Sequence, residues 1–379
     1  MSLDRALAEA LDAAGIPGAV AMVADRDGLI WQGAFGLQDP ATAAPMTTDT
    51  LFQLASMSKA VTSVAALQLV ESGILALDAP VGDFLPGLAE PQVITGFDDA
   101  GRVLLRPATR PITLRHLLTH TSGLGYDFVQ ASQQRARGDL PPIPGSLASL
   151  HTPLQFDPGD GWGYGVSTDW IGLLVEAASG QRLDDYFADH IFAPLGMTQT
   201  GFELPTEGLA AMHAHTPDGG MVAYPISIGG GRNAEFLSGG GGLSGSGGDY
   251  LRFLRMLLNG GSLEGAVILQ PETVAEMFRN QIGALRAGGM TTTMPALSHA
   301  VSWFPDMTPG WSLGFMINPE AHGDGRSAGS LSWAGIANTY YWIDPAKGIA
   351  ALLLMQFLPF ADPGALAILS AFERAVYAS

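Results

Sequence analysis

Ser56-Met57-Ser58-Lys59 sets a hydroxyl and an amine three positions apart. On a helix, such positions share a face, with β-carbons about 5–6 Å apart. A serine hydroxyl becomes a nucleophile only beside a base. Lysine can be that base where burial or nearby positive potential favours its neutral form. The stretch from Ser56 to Val70 is apolar almost all round and is closed by Gly73, so the predicted helix runs through a core and not over a surface. A lysine in its first turn opposes the helix dipole, and Met57 and Ser58 supply no acid to neutralise it. Of the 18 basic residues only Lys59 and Lys347 are lysines. An N-cap role would account for Ser56, but not for Lys59.

Two further segments have chemistry-bearing composition. In Gly161-Trp162-Gly163-Tyr164-Gly165-Val166-Ser167, glycines flank aromatics, which suits a loop over a site and equally a plain turn. In Gly329-Ser330-Leu331-Ser332-Trp333-Ala334-Gly335-Ile336, a glycine sits in a predicted strand. Such a glycine marks close backbone approach, or an edge or bulge.

Other motifs fit less well. Gly325-Arg326-Ser327-Ala328-Gly329 has the spacing of a nucleophile elbow, but that chemistry needs serine, acid and histidine in chain order. The last histidine, His322, precedes Ser327. His213-Ala214-His215 has no third ligand arranged around it, so a polar loop pair is expected and a metal is not. His116 and His120 lack the glutamate of a zinc motif and are expected to cap or buttress the turn that follows. The glycine run 239–242 lacks the Gly-Lys-Ser/Thr of a phosphate loop; a tight turn near the core is expected.

The elements that must hold these residues begin with a helix over 3–14, stopped at Gly15-Ile16-Pro17, and two apolar runs, Ala19–Ala24 and Leu29–Phe35. Asp25-Arg26-Asp27-Gly28 joins the runs as a hairpin turn. Residues 74–160 are rich in proline, glycine and short helical pieces. Helices are predicted over Trp170–Ala178 and, after a Ser246–Asp249 cap, over Tyr250–Leu258. Leu331–Ile343 and Ile349–Phe357 flank Asp344-Pro345-Ala346-Lys347-Gly348 as a second hairpin, and a last helix spans about 364–377. The predicted fold class is α+β: an antiparallel sheet flanked by N- and C-terminal helices, with a mostly helical insertion. Residues 1–84 and 226–379 are expected to form the sheet domain and 85–225 the helical one, with the site between them.

The chain has 379 residues, 47% of them hydrophobic and 14% charged, with a formal charge of −18. That is enough apolar material for a large core. The acidic surface disfavours nucleic acid and anionic membranes as partners. The absence of cysteine excludes disulfides, thiolate metal sites and a cysteine nucleophile. No secretory signal or spanning segment is evident, so a cytoplasmic protein is expected.

Together the Ser-x-x-Lys, the Tyr164 loop and the Trp333 strand, in this order, resemble the serine β-lactamase and DD-peptidase superfamily, nearest its class C-like branch with the family VIII carboxylesterases. The stretch Thr113–Leu124, the segment Gly239–Tyr250 and both terminal regions extend the likeness over most of the chain. The resemblance implies that Ser56 is acylated and that Lys59 and Tyr164 share acid–base duty. It also implies that the Ser56 and Ile336 N–H groups form the oxyanion hole, and that Trp333, Ala334 and Gly335 line the site in place of Lys-Thr-Gly. Tyr126 and Trp162 are further candidates for substrate contact. No cofactor or metal is implied.

Two departures bear on substrate. Tyr164-Gly165-Val166 lacks the asparagine of Tyr-x-Asn, and Trp333 replaces the cation of Lys-Thr-Gly. Carboxylate recognition should therefore be weak. The expected activity is hydrolysis of short-chain, uncharged carboxylic esters, with feeble or no β-lactamase activity. Acyl transfer, β-lactam hydrolysis and D-amino-acid peptidase activity are rivals within the fold. A catalytically silent binding domain is the rival outside it, and the presence of Lys59 and Tyr164 counts against it. Oligomeric state is not encoded in these features.

Overall fold

A computed structural model describes residues 2–138, 145–216, 220–229, 234–323 and 325–378. Helix α1 (Leu3–Ala14) is capped by Ser2, whose side chain accepts from Arg5 N–H, and ends at left-handed Gly15. Strands β1 (Gly18–Ala24) and β2 (Leu29–Asp39) follow as the predicted hairpin. Helices α2 (Ser58–Glu71), α3 (Ser167–Ser179) and α4 (Gly247–Leu258) come next. Strands β3 (Leu331–Gly335), β4 (Thr339–Asp344) and β5 (Ile349–Leu354) and helix α5 (Pro363–Ala378) close the chain.

The main sheet is antiparallel, in the order Gly310–Trp311, Met316–Ile317, β3, β4, β5, β1, β2, Ala44–Pro45. Both ends of the chain thus build one sheet. Strands β1, β3 and β4 are buried at every position because both faces are covered. On one face α5 packs with α1; the Trp342 indole donates to Tyr377 Oη at 3.1 Å and its ring meets Phe372. On the other face α4 lies against β1 and β5, and Tyr250 donates to Met57 O at 2.9 Å. Helix α2 is enclosed, with Ser58 through Leu67 all buried. Among the described residues no helix is long and apolar enough to cross a membrane.

Three sequence expectations change here. Leu331–Ile343 is two strands and not one: the chain reverses after Gly335, where Asn338 adopts φ +58 and its amide donates to Phe357 O and Pro359 O. Asparagine tolerates that conformation without announcing a turn as clearly as Asn-Gly would. The region after residue 74, read as short helical pieces, also contains an antiparallel hairpin, Gln92–Phe97 with Val103–Pro107. The helix read from Ser56 starts at Ser58, after a tight 3₁₀ turn over Ala55–Met57.

The motifs set aside above make contacts within the fold. Ser327 O accepts from Ser330 Oγ and the Asn318 amide, while Arg326 is buried in an ion pair with Glu373. His213 and His215 lie on a short strand, facing Ala211 O and Asp362. Among the described residues no three His, Cys, Asp or Glu side chains gather as a metal site.

Candidate active site

The turn carrying Ser56 is held from both sides. Ala55 has φ +50, a left-handed value that costs a non-glycine residue roughly 1–2 kcal/mol. The Ser58 hydroxyl donates to Ala55 O at 2.7 Å and accepts from Leu243 N–H at 3.0 Å. From the sheet, β3 presses so closely that a β-carbon on Gly335 would lie 2.4 Å from Leu54 O. Gly335 therefore admits the strand end to the turn that carries Ser56.

Ser56 itself is half-buried, while Lys59 is 2% exposed. Lys59 Nζ lies 3.1 Å from Ser56 Oγ, 2.6 Å from Gly240 O and 3.2 Å from Tyr126 Oη. Burying an unsatisfied ammonium costs several kcal/mol, and these three partners offset that cost. All three are oxygens to which Nζ can donate, and the same geometry holds Nζ within proton-transfer distance of Ser56 Oγ.

Gly240 is placed by Asp169, in the first turn of α3. The Asp169 carboxylate accepts from Ser238 Oγ at 2.6 Å and from Gly240 N–H at 3.0 Å. A β-carbon on Gly240 would fall 2.6 Å from Asp169 Oδ2, so only glycine allows this approach. The neighbouring Gly239 O accepts from Thr62 Oγ1 at 2.6 Å, tying the turn to α2.

The two tyrosines arrive on loops pressed together. A β-carbon on Gly165 would lie 2.5 Å from both Gly125 Cα and Leu124 O, and Gln130 Nε2 donates to Tyr164 O at 3.0 Å. The rings of Tyr126 and Tyr164 meet edge to face at 5.3 Å. Sequence reasoning paired Lys59 with Tyr164 and left Tyr126 as a substrate contact. In the structure Tyr126 makes the hydrogen bond to Lys59, whereas Tyr164 presents its ring, 4.9 Å from Nζ to the ring centroid. Burial, reinforced by the Asp169 charge and by Tyr164, pushes the Tyr126 phenol well above its ordinary range, so it stays protonated. The Tyr164 oxygen accepts from the Trp333 indole N–H at 3.1 Å.

An aromatic wall continues outward. Trp333 meets Trp311 at 4.6 Å, and Trp311 meets Trp162 at 5.4 Å. His120, at φ +56, packs against Tyr164, Trp162 and Trp311. Burial, then the Lys59 charge, hold its imidazole well below the usual range, so it is a neutral ring. His116 caps its helix as expected, its Nδ1 accepting from Thr113 N–H. The structure thus brings Ser56, Lys59, Tyr126, Tyr164, Trp333 and Gly335 to one place, with Trp162 one ring further out and Ala334 and Ile336 flanking Gly335 in the chain. Sequence reasoning missed Gly240 and Asp169. The available signal was an acid, Asp169, in the first turn of an otherwise apolar helix.

The beta-lactamase family profile matches residues 3–375. The chain is 35% identical over 397 residues to monacolin J acid methylbutanoyltransferase of Aspergillus terreus, covering 99% of this chain and 95% of that protein. Esterase EstB of Burkholderia gladioli is 33% identical, with 99% and 94% covered. The structure of a mutant simvastatin synthase from Aspergillus terreus superposes with a TM-score of 0.84 at 33% identity, covering 99% of this chain and 96% of that one. With the family profile spanning nearly its whole length and full-length esterase and acyltransferase relatives, this chain belongs to the beta-lactamase family and is a serine hydrolase of that fold.

Proposed function

We propose that the protein is a carboxylesterase that hydrolyses short-chain, uncharged esters through an acyl-enzyme on Ser56. The observation that carries this reading is the position of Lys59 Nζ, 3.1 Å from Ser56 Oγ with two further acceptors in reach. Ser56 Oγ attacks the ester carbonyl and its proton passes to Lys59. The N–H groups of Ser56 and Ile336 receive the oxyanion, a role in which one donor is worth on the order of 3 kcal/mol. Tyr164 protonates the departing alkoxide.

The wall of Trp333, Tyr126 and Trp162 suits an uncharged acyl or alcohol group. By the sequence resemblance Trp333 replaces the cation of Lys-Thr-Gly that would hold a β-lactam carboxylate, so β-lactam turnover is expected to be weak or absent. Acyl transfer is the second reading, favoured by the 35% identity to a methylbutanoyltransferase. It uses the same acyl-enzyme and differs only in the acceptor.

The test is p-nitrophenyl butyrate hydrolysis with and without a competing alcohol, with ester and free acid both quantified. The esterase reading expects free acid to dominate at millimolar alcohol. Ester as the main product would move the assignment to acyl transfer, and no turnover of any short-chain ester would reject both.

A further inference from the structure

We propose that Trp333 is a positioning residue whose indole N–H stabilises the negative charge that Tyr164 acquires when it protonates the leaving group. This rests on the esterase reading above and gives Trp333 a task beyond lining the pocket. The two phenols of the site are held differently. Tyr126 Oη engages Lys59, whereas Tyr164 Oη takes the Trp333 N–H at 3.1 Å, its hydrogen-bond partner among the described residues. The indole is rigid. It lies on buried β3 opposite Tyr341 and packs against Trp311, whose own indole donates to Leu118 O at 3.1 Å. A donor fixed in advance on an oxygen that will become an anion needs no reorganisation during the reaction.

The proton inventory closes without any transfer between Lys59 and Tyr164. In acylation the Ser56 Oγ–carbonyl carbon bond forms and the carbonyl carbon–alkoxy oxygen bond breaks. The serine proton goes to Lys59 and the Tyr164 proton goes to the alkoxide, which leaves as the alcohol. The acyl-enzyme then holds an ammonium at Lys59 and a phenolate at Tyr164, with Nζ 4.9 Å from the ring centroid. In deacylation water attacks the acyl carbon and gives its proton to the phenolate, while the ammonium returns its proton to Ser56 Oγ. The phenolate persists between these steps, so its one fixed donor acts throughout.

The test compares two esters of the same acid. p-Nitrophenolate leaves unprotonated, so acylation by p-nitrophenyl butyrate does not need the Tyr164 proton; ethyl butyrate does. Trp333→Phe keeps an aromatic ring and removes the donor. Incorporation of 3-benzothienylalanine at position 333 keeps the indole outline and replaces N–H with sulfur, so it carries the test if the phenylalanine variant misfolds. For either variant kcat/KM, which reports acylation, is expected to fall about 100-fold with ethyl butyrate and less than about fivefold with p-nitrophenyl butyrate. Equal losses on the two esters would make Trp333 a wall only and overturn the inference, as would no loss on either. Failure of the unsubstituted enzyme on both esters would overturn the esterase reading itself.

Discussion

Lys59→Met is expected to lower kcat/KM for p-nitrophenyl butyrate by about 10²–10⁴-fold, the span of a positioned general base. Methionine fills a similar volume but offers no lone pair at 3.1 Å from Ser56 Oγ, and an unassisted serine hydroxyl is a poor nucleophile. Stability should move little, because two effects oppose each other. Gly240 O and Tyr126 Oη lose their shared partner, and a buried group left unsatisfied costs about 1–3 kcal/mol. Against this, the chain no longer has to bury an amine at that position, which is itself a several-kcal/mol expense when charged. Steady-state kinetics together with a thermal melt separate these effects. A loss of less than tenfold with an unchanged melt would mean that the base lies elsewhere.

The second large effect is expected at Gly335. A β-carbon there would sit 2.3 Å from Thr339 Oγ1, 2.4 Å from Leu54 O and 3.2 Å from the Ala55 β-carbon. Only the first of these atoms can swing aside; the others belong to the turn that aims Ser56. Gly335→Val must therefore push β3 away from that turn. Overpacking of this kind costs about 1–3 kcal/mol, and a shift of about 1 Å between reacting groups can cost about 100-fold in rate. Urea titration and kcat on the same preparation check both parts. Retention of stability together with full kcat would show that the Gly335–Leu54 contact does not set the geometry of the site.

Local patterns foretold the ends of the chain well. Asp-Gly between apolar runs specified the first hairpin, and Gly15 and Ser246 marked helix boundaries that the structure keeps. The serine and lysine were legible because three residues on a turn stay neighbours in almost any helical context. What stayed hidden depends on long-range packing. The hydrogen bond from Lys59 to Tyr126 joins residues 67 positions apart and that to Gly240 joins residues 181 apart; no local spacing encodes either. Asp169 reads as an ordinary first-turn acid, favourable to the helix dipole, until the 238–242 turn folds onto it. That Tyr126 makes the hydrogen bond to Lys59, while Tyr164 presents its ring, has the same origin. Each tyrosine follows a glycine, and nothing in the local sequence tells which phenol hydrogen-bonds the amine.

Much of the site's order comes from atoms that do no chemistry. Gly165, Gly240 and Gly335 each permit a backbone approach that a β-carbon would forbid. Together they seat the Tyr164 loop, the Lys59 acceptor and the strand beside Ser56. His120 and Trp311 contribute neutral aromatic surface behind the phenols. Catalysis here depends on the reactivity of one hydroxyl, that of Ser56. The most direct measurement is peptide-level mass spectrometry after treatment with a fluorophosphonate. A single phosphonyl adduct on the peptide bearing Ser56, formed in step with loss of ester turnover and absent from Lys59→Met over the same interval, is the predicted result. An adduct on Ser327 or another serine, or full inactivation with Ser56 unmodified, would contradict it.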